Sequence, residues 1–391
     1  LSRDAVRALY GGAVTLSASR MDMARSCHFA YFMRYGLKAR ERTGAGFDAP
    51  QIGTFVHDVM EHTLRQAKEC GGLHTLSKDK LHALVRASIE EYIDRVLPDL
   101  CEKSARFRYL FNRLCATVER IMDEVNEELQ SSDFEPLAFE LEFGADGQLP
   151  AITIREENGT ARVVGKVDRV DGWLHDGKLY LRVVDYKTGK KSFDLAELRY
   201  GLGLQMLLYL FTLKEEGQML FGGHEIVPAG VLYTPAREPM LRCARDTEPE
   251  KIEKALKKEL RRSGMVLEDP AVLQAMEHSA LESPCYLPIA VKRDGAVTGS
   301  LASAEQLGKL SKYVDHILHE ITQEVFAGNI DADPYARTPQ QSACTYCEFA
   351  SACHFENGCG SDRMEYIKAT KNDEFWQYID EVNGEGAREN G

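Results

Sequence analysis

The chain has 391 residues, a formal net charge of −13 and 44% hydrophobic residues. That length supports a large core in one elaborated domain or two, and no apolar run approaches the roughly 18 residues that a membrane-spanning helix needs. With no signal peptide and an opening Leu1 in place of Met, it reads as a piece of a longer polypeptide and is expected to be soluble and cytoplasmic.

Taken in chain order, residues 20–35 read as a helix and 44–53 as a Gly/Pro loop. A second helix is expected from Thr54 to Glu69, where Phe55, Val56, Val59, Met60 and Leu64 recur at helical spacing, and Gly71-Gly72 ends it. Residues 78–130 look helical with a break near Pro98, and carry a basic stretch of Lys103, Arg106, Arg108 and Arg113. Strand-like alternation follows over Leu137–Phe143, Ala151–Arg155, Ala161–Val170 and 179–187. One helix is then expected from Asp194 to Glu216, a strand over Ile226–Tyr233, and charged helices near 248–263 and 304–327. A cysteine-rich segment and an acidic, partly mobile tail after Lys371 close the chain. No internal repeat is visible, and the order implies an α/β fold: a mixed sheet of roughly 100 residues in a helical surround.

The negative net charge argues against nucleic acid as a partner, but the charge is uneven. Arg20, Arg25, Arg34, Lys38, Arg40 and Arg42 stand against only Asp22 and Glu41, interleaved with Phe29, Tyr31, Phe32 and Tyr35. Such a basic-aromatic segment fits a local nucleic-acid contact, and equally a solvated helix face.

Two acidic clusters carry the chemistry. Gly165-Lys166-Val167-Asp168-Arg169-Val170-Asp171 and Val183-Val184-Asp185-Tyr186-Lys187-Thr188-Gly189 flank a polar turn at 174–178. Read as a hairpin, they bring Asp168 and Asp185 together, with Lys187 on the same strand face as Asp185. Two carboxylates hold a hard cation such as Mg²⁺, and a lysine beside them steadies a negatively charged oxygen. Each acid taken alone fits a solvated strand end. The whole pattern fits hydrolysis of a phosphodiester better.

His57 falls in the first turn of the second helix, with Glu61 one turn on. His57 and His62 are five apart, so they do not form the i, i+4 zinc pair of the zincins. Gln205 and Tyr209, one turn apart, suit hydrogen bonds to phosphate or base, and suit ordinary packing as well. Thr188-Gly189-Lys190-Lys191-Ser192 only mimics a phosphate loop, because Val184 stands where the nucleotide-binding loop needs glycine.

Ten cysteines in a chain of this length point to free thiols or a metal site, not to a disulfide framework. Cys344, Cys347, Cys353 and Cys359 crowd together while the others are scattered. Zinc and an iron–sulfur cluster each need four ligands, and spacing does not separate them. Beside Cys344, Cys347 and Cys353, the fourth ligand is Cys359, His354 or the distant Cys27.

The set His57, Gly165-x-x-Asp168, Asp185-Tyr186-Lys187, Gln205 and Tyr209 resembles the RecB-like branch of the PD-(D/E)XK nuclease superfamily. The runs Leu16-Ser17-Ala18-Ser19 and Cys27-His28-Phe29-Ala30-Tyr31-Phe32-x-x-Tyr35-Gly36-Leu37 are similar to the C-terminal nuclease domain of the AddB family. That resemblance implies a restriction-endonuclease-like mixed sheet flanked by helices, with the N- and C-terminal segments joined at a [4Fe–4S] cluster. It implies His57, Asp168, Asp185 and the Tyr186 carbonyl as ligands of Mg²⁺, for which Mn²⁺ can substitute. Lys187 would orient the attacking water and stabilise the pentavalent phosphate, and Gln205 and Tyr209 would position DNA. Cys27, Cys344, Cys347 and Cys353 would hold the cluster, leaving Cys359 without a role.

The organisation expected on this basis is a helical region over 1–135, a nuclease core over 136–240, a helical and cysteine-rich region over 241–370, and the tail over 371–391. The implied activity is exonucleolytic cleavage of single-stranded DNA in the processing of double-strand break ends for recombination, with an AddA-like helicase as partner. Two other readings remain beside it: a stand-alone Cas4-type iron–sulfur exonuclease, and a non-catalytic DNA-end-binding module with a structural cluster.

Overall fold

The computed structural model describes residues 1–40 and 49–389. The chain opens with α1 (Arg3–Tyr10), β1 (Ala13–Leu16), α2 (Ala18–Ser26) and a short α3 (His28–Tyr31). The single helix expected over 20–35 is interrupted, because Cys27 sits between α2 and α3 in extended backbone (φ −172°, ψ 120°). The following Phe32–Gly36 winds as one π-helical turn. The next helix, α4 (Ala49–Glu69), begins five residues earlier than Thr54. Residues 44–48 of the expected loop lie outside the described residues, and 49–53 are helical. Pro50 is tolerated there because N–H groups of a first turn have no intrahelical acceptor. Gly71 and Gly72, at φ 102° and 89°, end the helix as expected.

Helices α5 (Lys78–Val96) and α6 (Ala105–Gln130) follow, each capped by a serine side chain, Ser77 and Ser104. The strands are β2 (Glu135–Phe143), β3 (Ile152–Glu156), β4 (Gly159–Val163), β5 (Gly165–His175) and β6 (Lys178–Lys187). The strand expected over Ala161–Val170 is really two. β4 pairs parallel with β1 and antiparallel with β3, whereas β5 joins the main sheet. Alternation alone cannot reveal that a chain changes sheets at one residue, here Val164.

β5 and β6 form the expected hairpin, closing at His175↔Lys178. Asp176 and Gly177 both take positive φ, 48° and 76°, as a type I′ turn requires. The expected 194–216 helix splits into α7 (Leu195–Arg199) and α8 (Gln205–Glu216). Gly201 and Gly203 between them sit at φ 74° and 68°, a backbone conformation that interrupts a right-handed helix.

β7 (Glu225–Pro235) returns parallel to β6, so α7 and α8 form a crossover. Then come α9 (Pro249–Leu260), β8 (Ser263–Leu267), α10 (Pro270–Met276), β9 (Ile289–Val291), β10 (Val297–Gly299), β11 (Leu301–Ala302) and the long α11 (Ala304–Ala327). The last elements are β12 (Tyr335–Thr338), β13 (Gln341–Ser342), α12 (Ala350–Cys353), β14 (Glu365–Tyr366) and α13 (Asn372–Glu389). The acidic tail carries a helix over 372–389 that buries Phe375, Trp376 and Ile379 in the core. Its apolar stripe outweighs its acidic composition.

The main sheet has six strands in the order β11-β8-β7-β6-β5-β2, mixed in direction and flanked by helices, the α/β class expected. β6 and β7 are buried along most of their length, as strands covered on both faces are. Among the described residues no helix is long and apolar enough to cross a membrane.

Candidate active site and cysteine cavity

The hairpin sets the geometry. Its register pairs Arg169 with Val184 and Asp171 with Arg182, so Asp168 and Asp185 project to one face and Arg169, Asp171 and Arg182 to the other. The Tyr186 amide donates to Asp168 Oδ2 at 2.8 Å. His57, reaching in from α4, places Nδ1 3.4 Å from Asp168 Oδ2 and Nε2 2.9 Å from the Tyr186 carbonyl. Lys187 Nζ forms an ion pair with Asp185 Oδ2 at 2.6 Å and sits over the Tyr233 ring.

Glu140 on β2 was not singled out from sequence. Phe139↔Arg169 and Leu141↔Val167 bracket it, which places it across from Asp168. Donor atoms of His57, Glu140 and Asp168 all lie within 4.8 Å of one another. Asp185 stands outside that trio. Glu140 holds φ 48°, an unusual backbone for a residue with a side chain, and pairs with Lys166 Nζ at 2.5 Å. Like charges directly across a ladder repel, so this arrangement favours a cation. The missed signal was an acid inside an alternating apolar strand, the same signal that marked Asp168 and Asp185.

The charges are tuned accordingly. Burial pushes the Asp185 carboxyl up, and Asp168 adds to this; Lys187 offsets only part, leaving it at about 6. Burial lowers His57, but the hydrogen bond and charge of Asp168 outweigh it and raise the imidazole to about 9. Burial also raises Glu140, with Lys166 opposing and Asp168 reinforcing. Both Asp185 and His57 have folded pKa values above their unfolded ones. Stability from the Asp185 proton is thus present at low pH and lost as pH rises through about 6; that from His57 is lost through about 9. A cation held by these two groups would take the place of both protons. The rise in melting temperature on adding Mg²⁺ is therefore expected to grow from pH about 6 to pH about 9 in scanning calorimetry; a flat or falling dependence would contradict this site.

Gln205 begins α8, and its Nε2 donates to Tyr209 Oη at 3.0 Å. Tyr209 Oη also accepts from the Lys166 amide at 3.4 Å. Both side chains line a groove of about 590 Å³ with Ser17, Ser19 and Lys166. The Tyr209 ring is buried edge-on against Phe143, so only its hydroxyl end addresses the groove. Gly165 is required here: a Cβ would lie 2.6 Å from the Tyr209 hydroxyl.

Cys27, Cys344, Cys347 and Cys353 line one cavity of about 1010 Å³, together with His354; Cys359 is exposed and not part of the lining. Burial pushes the Cys27 thiol up to about 11 against hydrogen bonds from backbone N–H groups of Ala30, Asp333 and Phe29. Burial raises Cys344 and Cys353 as well. The chain's ends meet beside this cavity. Arg25 binds both oxygens of Glu324 at 3.0 and 3.1 Å, and His28 binds Asp333 through its amide at 2.9 Å and its ring at 2.5 Å. Arg34 binds Glu348 at 2.9 and 3.0 Å. The basic-aromatic segment is thus largely spent on internal contacts: Arg20 stacks on Tyr35, and Tyr31 is buried. Arg42 lies outside the described residues.

The sequence matches the PD-(D/E)XK nuclease superfamily over residues 15–354. It is 31% identical over 387 residues to a protein of Ruminiclostridium cellulolyticum named as one of the subunits of an ATP-dependent helicase/deoxyribonuclease, covering 98% of this chain and 33% of that one. Proteins of the same name in Acetivibrio thermocellus and Thermoanaerobacter are 33% and 31% identical, each covering 97% of this chain. The chain spans about a third of the length of these relatives.

Proposed function

The chain belongs to the PD-(D/E)XK nuclease superfamily, and from that premise we propose that it is the Mg²⁺-dependent exonuclease domain of a helicase–nuclease, cutting single-stranded DNA during processing of double-strand break ends. One arrangement carries this: two carboxylates and a lysine on adjoining strands, faced by a histidine from a neighbouring helix. The relatives' name, with both helicase and deoxyribonuclease in it, supports a helicase as partner and DNA as substrate.

His57, Asp168, Asp185 and the Tyr186 carbonyl would hold the cation, and the position of Glu140 adds a further carboxylate. The chemistry of the set fits: hard oxygens with one imidazole. His57 Nε2 and the Tyr186 carbonyl already face each other at 2.9 Å. When bound, the cation lowers the pKa of a water and offsets charge on the leaving oxygen. Lys187 keeps a positive charge beside this face to orient the nucleophile and stabilise the crowded phosphate. Gln205 and the Tyr209 hydroxyl steady the strand from the adjoining groove.

Cys27, Cys344, Cys347 and Cys353 would hold a [4Fe–4S] cluster, whose part is to join the two ends of the chain. All four line the same cavity of about 1010 Å³, which has room for such a group.

The test is cleavage of end-labelled single-stranded DNA, with and without the helicase partner. Cleavage should stop on chelation and return with Mg²⁺ or Mn²⁺. Chelator-resistant cleavage, or none even with the partner present, would overturn the proposal.

A further inference from the structure

The reverse face of the catalytic hairpin carries a buried ionic network that the nuclease reading leaves unused. Arg169 donates through Nε and Nη2 to Asp171 at 2.7 and 2.9 Å, and through Nη1 to the Tyr186 hydroxyl at 2.6 Å. Arg182 Nε donates to the same Asp171 at 2.9 Å, and its Nη2 lies 3.3 Å from Glu128 of α6. Arg262, just before β8, donates to Glu128 at 2.9 and 2.6 Å. Arg169, Asp171 and Arg182 have no exposed surface.

Three cations and two anions in one core are a poor way to gain stability. Desolvation offsets most of the attraction, and apolar residues of similar volume often serve as well. Arg182 Nη1 even lacks a hydrogen-bond partner among the described residues. What the network does have is a grip on Tyr186. The three polar groups of that residue are all engaged: its hydroxyl by Arg169, its amide by Asp168 and its carbonyl by His57. The side chain thus anchors the peptide units that face the metal ligands.

We propose that Arg169, itself locked by Asp171, is a positioning residue that holds Tyr186 by its hydroxyl and thereby sets the angle at which the Tyr186 carbonyl and amide meet His57 and Asp168. The role rests on the metal-dependent nuclease reading. A rigid guanidinium reaching three acceptors at once does what a lysine cannot.

The test is Tyr186→Phe, which removes one oxygen and keeps the ring and backbone. Mn²⁺ affinity is measured by titration calorimetry, with kcat and KM on single-stranded DNA determined alongside. The Mn²⁺ Kd should rise roughly 10-fold, as loss of an outer-layer partner of a metal site typically does. The loss of kcat should recover as Mn²⁺ is raised, with KM for DNA little changed. Arg169→Lys should move Kd the same way, and serves if Tyr186→Phe does not fold. A folded variant with wild-type Mn²⁺ affinity overturns the positioning role, even if its melting temperature falls. A wild-type chain that takes up no Mn²⁺ overturns the metal-site reading itself, and this role with it.

Discussion

Replacing Asp185 or Lys187 by alanine should reduce cleavage of single-stranded DNA by about 10³-fold or more, while DNA affinity stays within a few-fold. Asp185 is only 4% exposed and is paired with Lys187 at 2.6 Å, so each side chain loses its partner when the other is cut back. Neither lies in the groove lined by Gln205 and Tyr209, which is why binding should survive. A second readout separates a metal site from a merely buried acid. Burial and Asp168 hold the Asp185 carboxyl at about 6, so its ionised form is disfavoured in the metal-free fold. Asp185→Asn should therefore melt higher than wild type in chelator at neutral pH, and should gain less from added Mg²⁺. Full cleavage in Asp185→Ala or Lys187→Ala would defeat the assignment. An Asp185→Asn protein stabilised by Mg²⁺ as much as wild type would remove Asp185 from the ligand set.

The second large effect concerns the cysteine cavity. Prepared anaerobically, the protein should be brown with about four irons per chain, and Cys27→Ala should lose both colour and iron. Cys27 and Cys344 are more than 300 residues apart in sequence. By the disulfide analogy, releasing so long a closure costs roughly 5 kcal/mol. The core should nonetheless stay folded, because Arg25–Glu324, His28–Asp333, Arg34–Glu348 and the Phe29 amide on the Asp331 carbonyl still join the ends. Cys27→Ala is therefore expected to melt markedly lower in one cooperative transition, not to be unfolded. Cys359→Ala should be silent, since Cys359 is exposed and outside the cavity lining. Colourless, zinc-loaded wild-type protein would sink the cluster. Iron kept by Cys27→Ala and lost by Cys359→Ala would sink the choice of ligands.

The two acidic strands and the polar turn between them were legible in the sequence because each is local. Alternation sets which residues share a face, and Asp176-Gly177 sets the hairpin register through its backbone preference. The dense cysteines pointed to a shared centre for a similar reason. Tertiary structure alone decided where the chain breaks: at Cys27, at Val164 where it leaves one sheet for another, and at Gly201–Gly203. It also decided that Glu140 faces Asp168, since that follows from pairing between strands whose sequence order does not fix their register. Asp171 makes the same point. From sequence it belonged with Asp168 in one acidic cluster; in the fold it turns to the opposite face and is buried between Arg169 and Arg182. Period and turn chemistry act over a few residues and can be read along the chain. Which buried charge finds which partner depends on surfaces that meet only after the sheet has formed and water has left.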